Sequence, residues 1–309
     1  MKEYAVWRLI WVFGLAMAFD ANAANIVTAP QGGVARWHGL DAKSCGIYGK
    51  RYPAVEKRCY YPVDIRSKPG THQIALWDMK GRQHLGTLVV QKAPFTAVEM
   101  TLPDSLSRFL KPSAEDTSRV AKESAAVAKV LSGRADAPAK FTLPLGAPSA
   151  TLPASEDDFG SLRIFNQQRR SLHSGRDYPV AQGTPVKAVA DGKVVLAAEH
   201  FYAGNSVFVD HGGGLVSMVF HLASVDVKPG DEVKAGQTLG TVGATGRATG
   251  PHLHIGLRWL GKRIDPALLF APPSALPSVT DSAQKAQGKI DRAERKDPAE
   301  TDGRYDDES

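Results

Sequence analysis

Residues 252–258 read His252-Leu253-His254-Ile255-Gly256-Leu257-Arg258. Successive residues of a strand point to opposite faces. As a strand, this stretch sets His252 and His254 side by side and turns Leu253 the other way, toward a core. The segments before it keep the same strand-and-turn character. Ser206-Val207-Phe208-Val209-Asp210 and Leu215-Val216-Ser217-Met218-Val219-Phe220-His221 flank a glycine turn, His211-Gly212-Gly213-Gly214. Val186-Lys187-Ala188-Val189-Ala190 and Lys193-Val194-Val195-Leu196-Ala197 flank Asp191-Gly192, which reads as a type I′ hairpin. Hairpin following hairpin predicts an antiparallel, helix-poor sheet over residues 141–276.

The chemistry in this region is carried by histidines. His173-Ser174-Gly175-Arg176-Asp177, His221-Leu222 and His252-Leu253-His254 lie in the same Gly-rich sequence. Each alone is weak: His-x-His is often two solvent-exposed strand histidines, and His-x-x-x-Asp is often a polar surface loop. Together, His173, Asp177 and His254 make a two-imidazole, one-carboxylate set that leaves a fourth tetrahedral position of a Zn2+ ion open for water, as a catalytic zinc requires. His221 and His252 remain as candidate acid/base groups. Gly175 between His173 and Asp177, with Pro179 soon after, argues for a loop or bent strand there rather than a helix. His72 and His84 lack spaced partners and are not expected to be ligands.

The 29 glycines and 20 prolines of the 309 residues imply many turns and so β structure. Short strand-like runs recur from residue 24 to about 103: Gln73-Ile74-Ala75-Leu76-Trp77-Asp78 and Leu85-Gly86-Thr87-Leu88-Val89-Val90 are separated by Met79-Lys80-Gly81-Arg82, as in a hairpin, and Ala97-Val98-Glu99-Met100-Thr101-Leu102 follows. This reads as a small β domain. Residues 104–140 change character. Ser113-Ala114-Glu115-Asp116 offers a helix start, and Val120, Val127 and Leu131 recur at helical spacing, so a helical connector is expected. At the N-terminus, Lys2 and Arg8 precede the apolar run Leu9 to Phe19, and Ala21-Asn22-Ala23 is a small-x-small cleavage site. Residues 1–23 thus read as an export signal, the alternative being a membrane anchor. No later run is long enough to span a bilayer, so a soluble, periplasmic or secreted protein is expected. In that compartment Cys45 and Cys59 are expected to form a disulfide, two free buried thiols being the alternative. Residues 277–309 carry almost no large apolar residue and read as a disordered tail. The net charge of +6 suits an anionic cell wall but is modest for the length. With an export signal and no recognition motif, nucleic-acid binding is a poor fit.

From about Phe141 to Leu269 the chain resembles the lysostaphin-like (LytM-type) zinc endopeptidases of bacterial cell-wall metabolism. The matching elements include His173-Ser174-Gly175-Arg176-Asp177-Tyr178, Gly183-Thr184-Pro185-Val186, Asp210-His211-Gly212, His221-Leu222, Gly243-Ala244-Thr245-Gly246-Arg247-Ala248-Thr249-Gly250-Pro251-His252-Leu253-His254 and Asp265-Pro266. The resemblance implies a mainly β protein, with a LytM-type catalytic domain after a small β domain and a helical connector. It implies zinc on His173, Asp177 and His254, with His221 and His252 as the catalytic pair, one of them serving the attacking water and the other the oxyanion and leaving amine. His211 matches a family position that looks structural. The implied substrate is a peptidoglycan peptide. The order of domains looks like Gram-negative exported endopeptidases, which makes a D-alanyl–diaminopimelate cross-link the preferred bond. The N-terminal regions of such enzymes are thought to position substrate or control access. One departure is visible: the Tyr often found two residues before His-Leu is here Val219, followed by Phe220. Two other readings share the resemblance, namely a non-catalytic regulator or amidase activator that binds the cell wall, and a lytic factor aimed at other bacteria.

Overall fold

The computed structural model describes residues 25–131, 135–150, 152–153, 158–167 and 169–280. The export signal expected at 1–23 and residues 281–309 of the expected tail lie outside them. Among the described residues no helix is long and apolar enough to cross a membrane.

The protein is mainly β. Its principal sheet is antiparallel and runs in the order Gly175–Tyr178, Leu253–Trp259, Leu215–Leu222, Gly204–Asp210, Gly192–His200 and Glu232–Val233, with Lys262–Ile264 also paired to Leu253–Trp259. Both faces are covered, which explains why its central strands read as nearly continuous apolar runs. In Gly204–Asp210, Val207 and Val209 enter the main core while Phe208 turns to the other face with Val216 and Met218. There Val127, Val130 and Leu131 of the helix Ala114–Leu131 pack on them. The helix starts as its sequence suggests, with the Ser113 hydroxyl accepting from the Asp116 amide at 3.0 Å.

Residues 25–91 build a five-stranded sheet in the order Ile26–Pro30, Gln83–Gln91, Gly70–Asp78, Ala42–Ile47, Lys50–Pro53. The Cys45–Cys59 disulfide is formed. This unit is docked on the principal sheet rather than tethered beside it. Tyr60 packs on Trp259 with ring centroids 5.4 Å apart, and Val34, Val55 and Tyr60 belong to the same buried cluster as Val219 and Leu253. The Arg263 guanidinium pairs with both Asp64 oxygens, Nη2 to Oδ1 at 2.6 Å and Nε to Oδ2 at 3.1 Å.

Three expectations need correction. Val186–Ala190 and Lys193–Ala197 do not form a hairpin: Pro185–Lys187 pairs with Thr238–Thr241, and Gly192–His200 pairs with Gly204–Asp210. Neither Asp191 nor Gly192 has the positive φ a type I′ turn demands. Asp191 instead ties the crossing between sheets, its carboxylate accepting from Lys234 Nζ at 2.8 Å and the Ala235 amide at 2.9 Å. Gly192 is required for space, since a Cβ there would lie 2.6 Å from Val209 Cγ1. Second, the chain stays ordered past residue 277: Ser278–Thr280 runs parallel to Val34–His38, because Val279 is fully buried in the N-terminal core. Third, Ala97–Met100 leaves the N-terminal sheet. It pairs in parallel with Leu162–Phe165, which pairs in turn with Arg169–Leu172, and this three-stranded sheet stands beside the histidines.

Candidate metal and catalytic site

The five candidate residues converge in a cleft of about 440 Å3. Asp177 and His254 face each other across paired strands, in register. His173 lies just before the strand Gly175–Tyr178, in the bend expected there. Arg176 alternates away from Asp177 and anchors that edge strand through two 2.6 Å bonds to Asp265. His254 comes this close because residue 175 is glycine: a Cβ on Gly175 would lie 2.5 Å from His254 Nε2 and 2.6 Å from the Ile255 carbonyl.

Three donor atoms meet. His173 Nε2 lies 3.2 Å from His254 Nδ1 and 3.3 Å from Asp177 Oδ1, and His254 Nδ1 lies 2.7 Å from the same oxygen. This group can hold a metal ion, and His221, His252 and His254 make a second possible group that shares His254. The first includes a carboxylate to offset metal charge; the second has none. Burial opposes ionisation of Asp177, but hydrogen bonds from His173 and His254 hold its carboxyl far below the usual range. Burial also opposes protonation of His173, yet bonds to Asp158 and Asp177 raise its pKa. His254 is pushed down by burial, against the pull of Asp177.

His221 and His252 flank the donors, their ring centroids 4.9 Å apart. His221 Nδ1 lies 2.8 Å from the Thr245 carbonyl and His252 Nδ1 lies 2.9 Å from the Gly250 carbonyl. Both carbonyls belong to the glycine-rich loop before His252. Burial, then the neighbouring His254 and His252, push His221 down to about 3. In a regular strand Phe220 and His221 would point to opposite faces, yet both line the cleft. His221 has φ +62° and the pairing register with Gly204–Asp210 shifts beside it. This bulge swings the imidazole to the same side as Phe220, whose ring stacks on His254 at 4.9 Å and 4°. His211 is fully buried, with Nδ1 2.9 Å from the Asp191 carbonyl and Nε2 2.8 Å from Ser217 Oγ, so it braces the sheet and lies outside the cleft.

Several further residues in and around the cleft have contacts that the sequence does not announce. Met100 and Leu102, from the region before the helix, line one wall. Arg247 stacks over Phe165 at 4.3 Å and Tyr202 at 4.9 Å. Arg163 and Asp158 contact the donor residues themselves. Arg247 lies within the glycine-rich motif; the others become neighbours only through tertiary pairing.

The profile of peptidase family M23 matches residues 171–266. DD-carboxypeptidase/endopeptidase Mpg of Neisseria meningitidis is 38% identical over 116 residues, covering 38% of this chain and 27% of that protein. Peptidoglycan DD-endopeptidase ShyA of Vibrio cholerae is 42% identical over 98 residues, covering 32% of this chain and 23% of that protein. The matched region thus spans about a quarter of the length of these curated relatives. A crystal structure from Pseudomonas aeruginosa, provisionally classed as a peptidase M23, is 30% identical with a TM-score of 0.58, covering 78% of this chain and 94% of that one. Similarity over nearly the whole of that structure, together with the matched profile, shows that this chain belongs to peptidase family M23.

Proposed function

We propose that the protein is an exported zinc endopeptidase that hydrolyses peptide cross-links in peptidoglycan, with the D-alanyl–diaminopimelate bond as its preferred target. The observation that carries this reading is the meeting of His173 Nε2, Asp177 Oδ1 and His254 Nδ1 within 3.3 Å of one another. Donors about 2.0–2.1 Å from a tetrahedral ion stand about 3.3 Å apart; the two pairs made by His173 Nε2 match this at 3.2 and 3.3 Å, and the third, His254 Nδ1 to Asp177 Oδ1 at 2.7 Å, would open by about half an ångström, so the set fits zinc. When bound, zinc supplies Lewis acidity that acidifies water and polarises a carbonyl.

The protein's own groups do the rest. The hydrogen-bond network assigns the Nδ1 protons of His221 and His252 to the Thr245 and Gly250 carbonyls, which leaves each Nε2 as a lone pair. One of the two takes a proton from the attacking water. The other, when it carries a second proton on Nε2 as the imidazolium, donates to the developing oxyanion and then to the leaving amine. Phe220, stacked on His254, holds that imidazole in plane and covers it from solvent. The names of the Neisseria and Vibrio relatives support the bond class. The N-terminal sequence and the disulfide support action outside the cytoplasm. Retention of the three metal donors supports an enzyme over a non-catalytic regulator.

Metal content and hydrolysis measured together on variants test these roles. His254→Ala is expected to lose zinc. His221→Ala and His252→Ala are expected to keep it and to lose about 10²–10⁴-fold in rate. Full activity in both of the latter would overturn the assignment.

A further inference from the structure

The two oxygens of Asp177 are in different hands. Oδ1 faces His173 and His254, while Oδ2 accepts from Arg163 Nη2 at 2.7 Å. The same nitrogen donates to Asp158 Oδ2 at 2.7 Å. Asp158 in turn stands on the far side of the His173 ring, with Oδ2 3.0 Å and its carbonyl oxygen 3.1 Å from Nδ1. Arg163 Nη2 lies 3.1 Å from that Nδ1 as well. Four groups therefore form a closed ring: Asp177, Arg163, Asp158 and His173. All are largely shielded from water, the Arg163 side chain being 19% and the Asp158 side chain 13% exposed.

Each contact has a consequence for a metal ligand. With Oδ2 occupied by a guanidinium, Asp177 has one oxygen to offer and is held to one-point ligation. With two acceptors at Nδ1, His173 keeps its proton there and presents Nε2 as a lone pair. Arg163 also separates two carboxylates that share His173 and would otherwise repel. A rigid planar guanidinium suits this bridging task better than a flexible ammonium. We propose that Arg163 is a positioning residue that, with Asp158, orients Asp177 and His173 as metal ligands. Arg163 is delivered by the strand Leu162–Phe165, opposite Val98 on one side and Ser171 on the other. The geometry of the metal centre is thereby coupled to a sheet that the region before the helix helps to build. This inference rests on the metal reading proposed above.

The test uses the full chain with Arg163→Gln, Arg163→Lys and Asp158→Asn, and reads three quantities: the zinc dissociation constant by chelator competition, the visible spectrum of the cobalt-substituted protein, and the thermal midpoint of the metal-free form. Outer-shell partners of metal ligands typically contribute about 10–100-fold in affinity. Arg163→Gln is expected to weaken zinc binding within that range and to lower the intense four-coordinate cobalt bands as Asp177 turns to use both oxygens. Arg163→Lys is expected to recover part of both. Asp158→Asn is expected to weaken binding about tenfold, and it decides the matter alone if Arg163→Gln does not fold. Wild-type zinc affinity and an unchanged cobalt spectrum in the folded variants would overturn the positioning role, whether or not the metal-free midpoint falls. A wild-type chain that binds no zinc would overturn the metal reading and this inference with it.

Discussion

His221 and Gly175 set the limits of the site at the residue scale. A non-glycine residue at φ +62° stores strain that the surroundings must hold. Here the holding contacts are the Thr245 carbonyl on the imidazole and the Ala203 carbonyl on the His221 amide, at 2.8 Å each. Gly175→Ala places a methyl group against His254. We expect a folded protein destabilised by about 1–3 kcal/mol, with zinc affinity reduced because His254 must move; calorimetric melts with metal titration check both. An unchanged zinc affinity would show that the close approach at residue 175 is not needed. The candidate ligands and candidate acid/base histidines are legible because they sit in compact motifs, and strand alternation is enough to pair His252 with His254. The orientation of His221 was not readable, since a bulge depends on pairing register with a neighbouring strand. Gly175 was readable as a helix breaker, but its packing role appears only once His254 is in place.

Among the elements, the three-stranded sheet Ala97–Met100, Leu162–Phe165 and Arg169–Leu172 has the most bearing on function. It carries Arg163 and forms the cleft wall with Met100 and Leu102. The segment at Leu102 is clamped by one side chain: Asn166 Oδ1 accepts from the Leu102 amide at 2.7 Å and Asn166 Nδ2 donates to its carbonyl at 3.1 Å. Asn166→Gly removes both bonds while tolerating the local φ of +45°. It is expected to raise KM by roughly tenfold, within the range that about 0.5–1.5 kcal/mol for each of the two lost hydrogen bonds allows, with zinc affinity unchanged. Steady-state kinetics on a soluble cross-linked peptide would check this; an unchanged KM would remove the wall from substrate binding. Sequence patterning failed at this level. Asp191-Gly192 has the composition of a hairpin turn, yet its carboxylate is used by Lys234 and Ala235, so a tertiary contact overrode the local preference. Parallel pairing of residues 97–100 with 162–165 joins strands far apart in the chain, and no local signal encodes it.

The whole molecule is held together across its two β units by the Tyr60–Trp259 contact and the Asp64–Arg263 pair. Burial acts against Asp64 ionisation, but bonds from the Arg263 side chain and amide and from the Arg66 amide hold its carboxyl below the ordinary range. A carboxyl depressed in the folded state contributes stability above its unfolded pKa of about 3.9, and that contribution is lost as pH falls through the folded value. Asp64→Asn is therefore expected to lower the thermal midpoint at neutral pH and to flatten its acid decline. Parallel midpoint-against-pH curves for variant and wild type would count against the contact. The disulfide, with a sequence separation of 14, is expected to contribute about 3 kcal/mol by constraining the unfolded chain, read from unfolding of Cys45→Ala/Cys59→Ala. Docking of this kind was hidden from the sequence because its residues look like ordinary core and surface positions of separate domains. Hydrolysis itself is read from the muropeptide profile of purified cross-linked peptidoglycan, taken by mass spectrometry after incubation with the zinc-loaded chain and with His252→Ala. Conversion of cross-linked dimers to monomers at the D-alanyl–diaminopimelate bond by wild type alone is the predicted result; an unchanged dimer fraction with wild type, or equal conversion by His252→Ala, would contradict it.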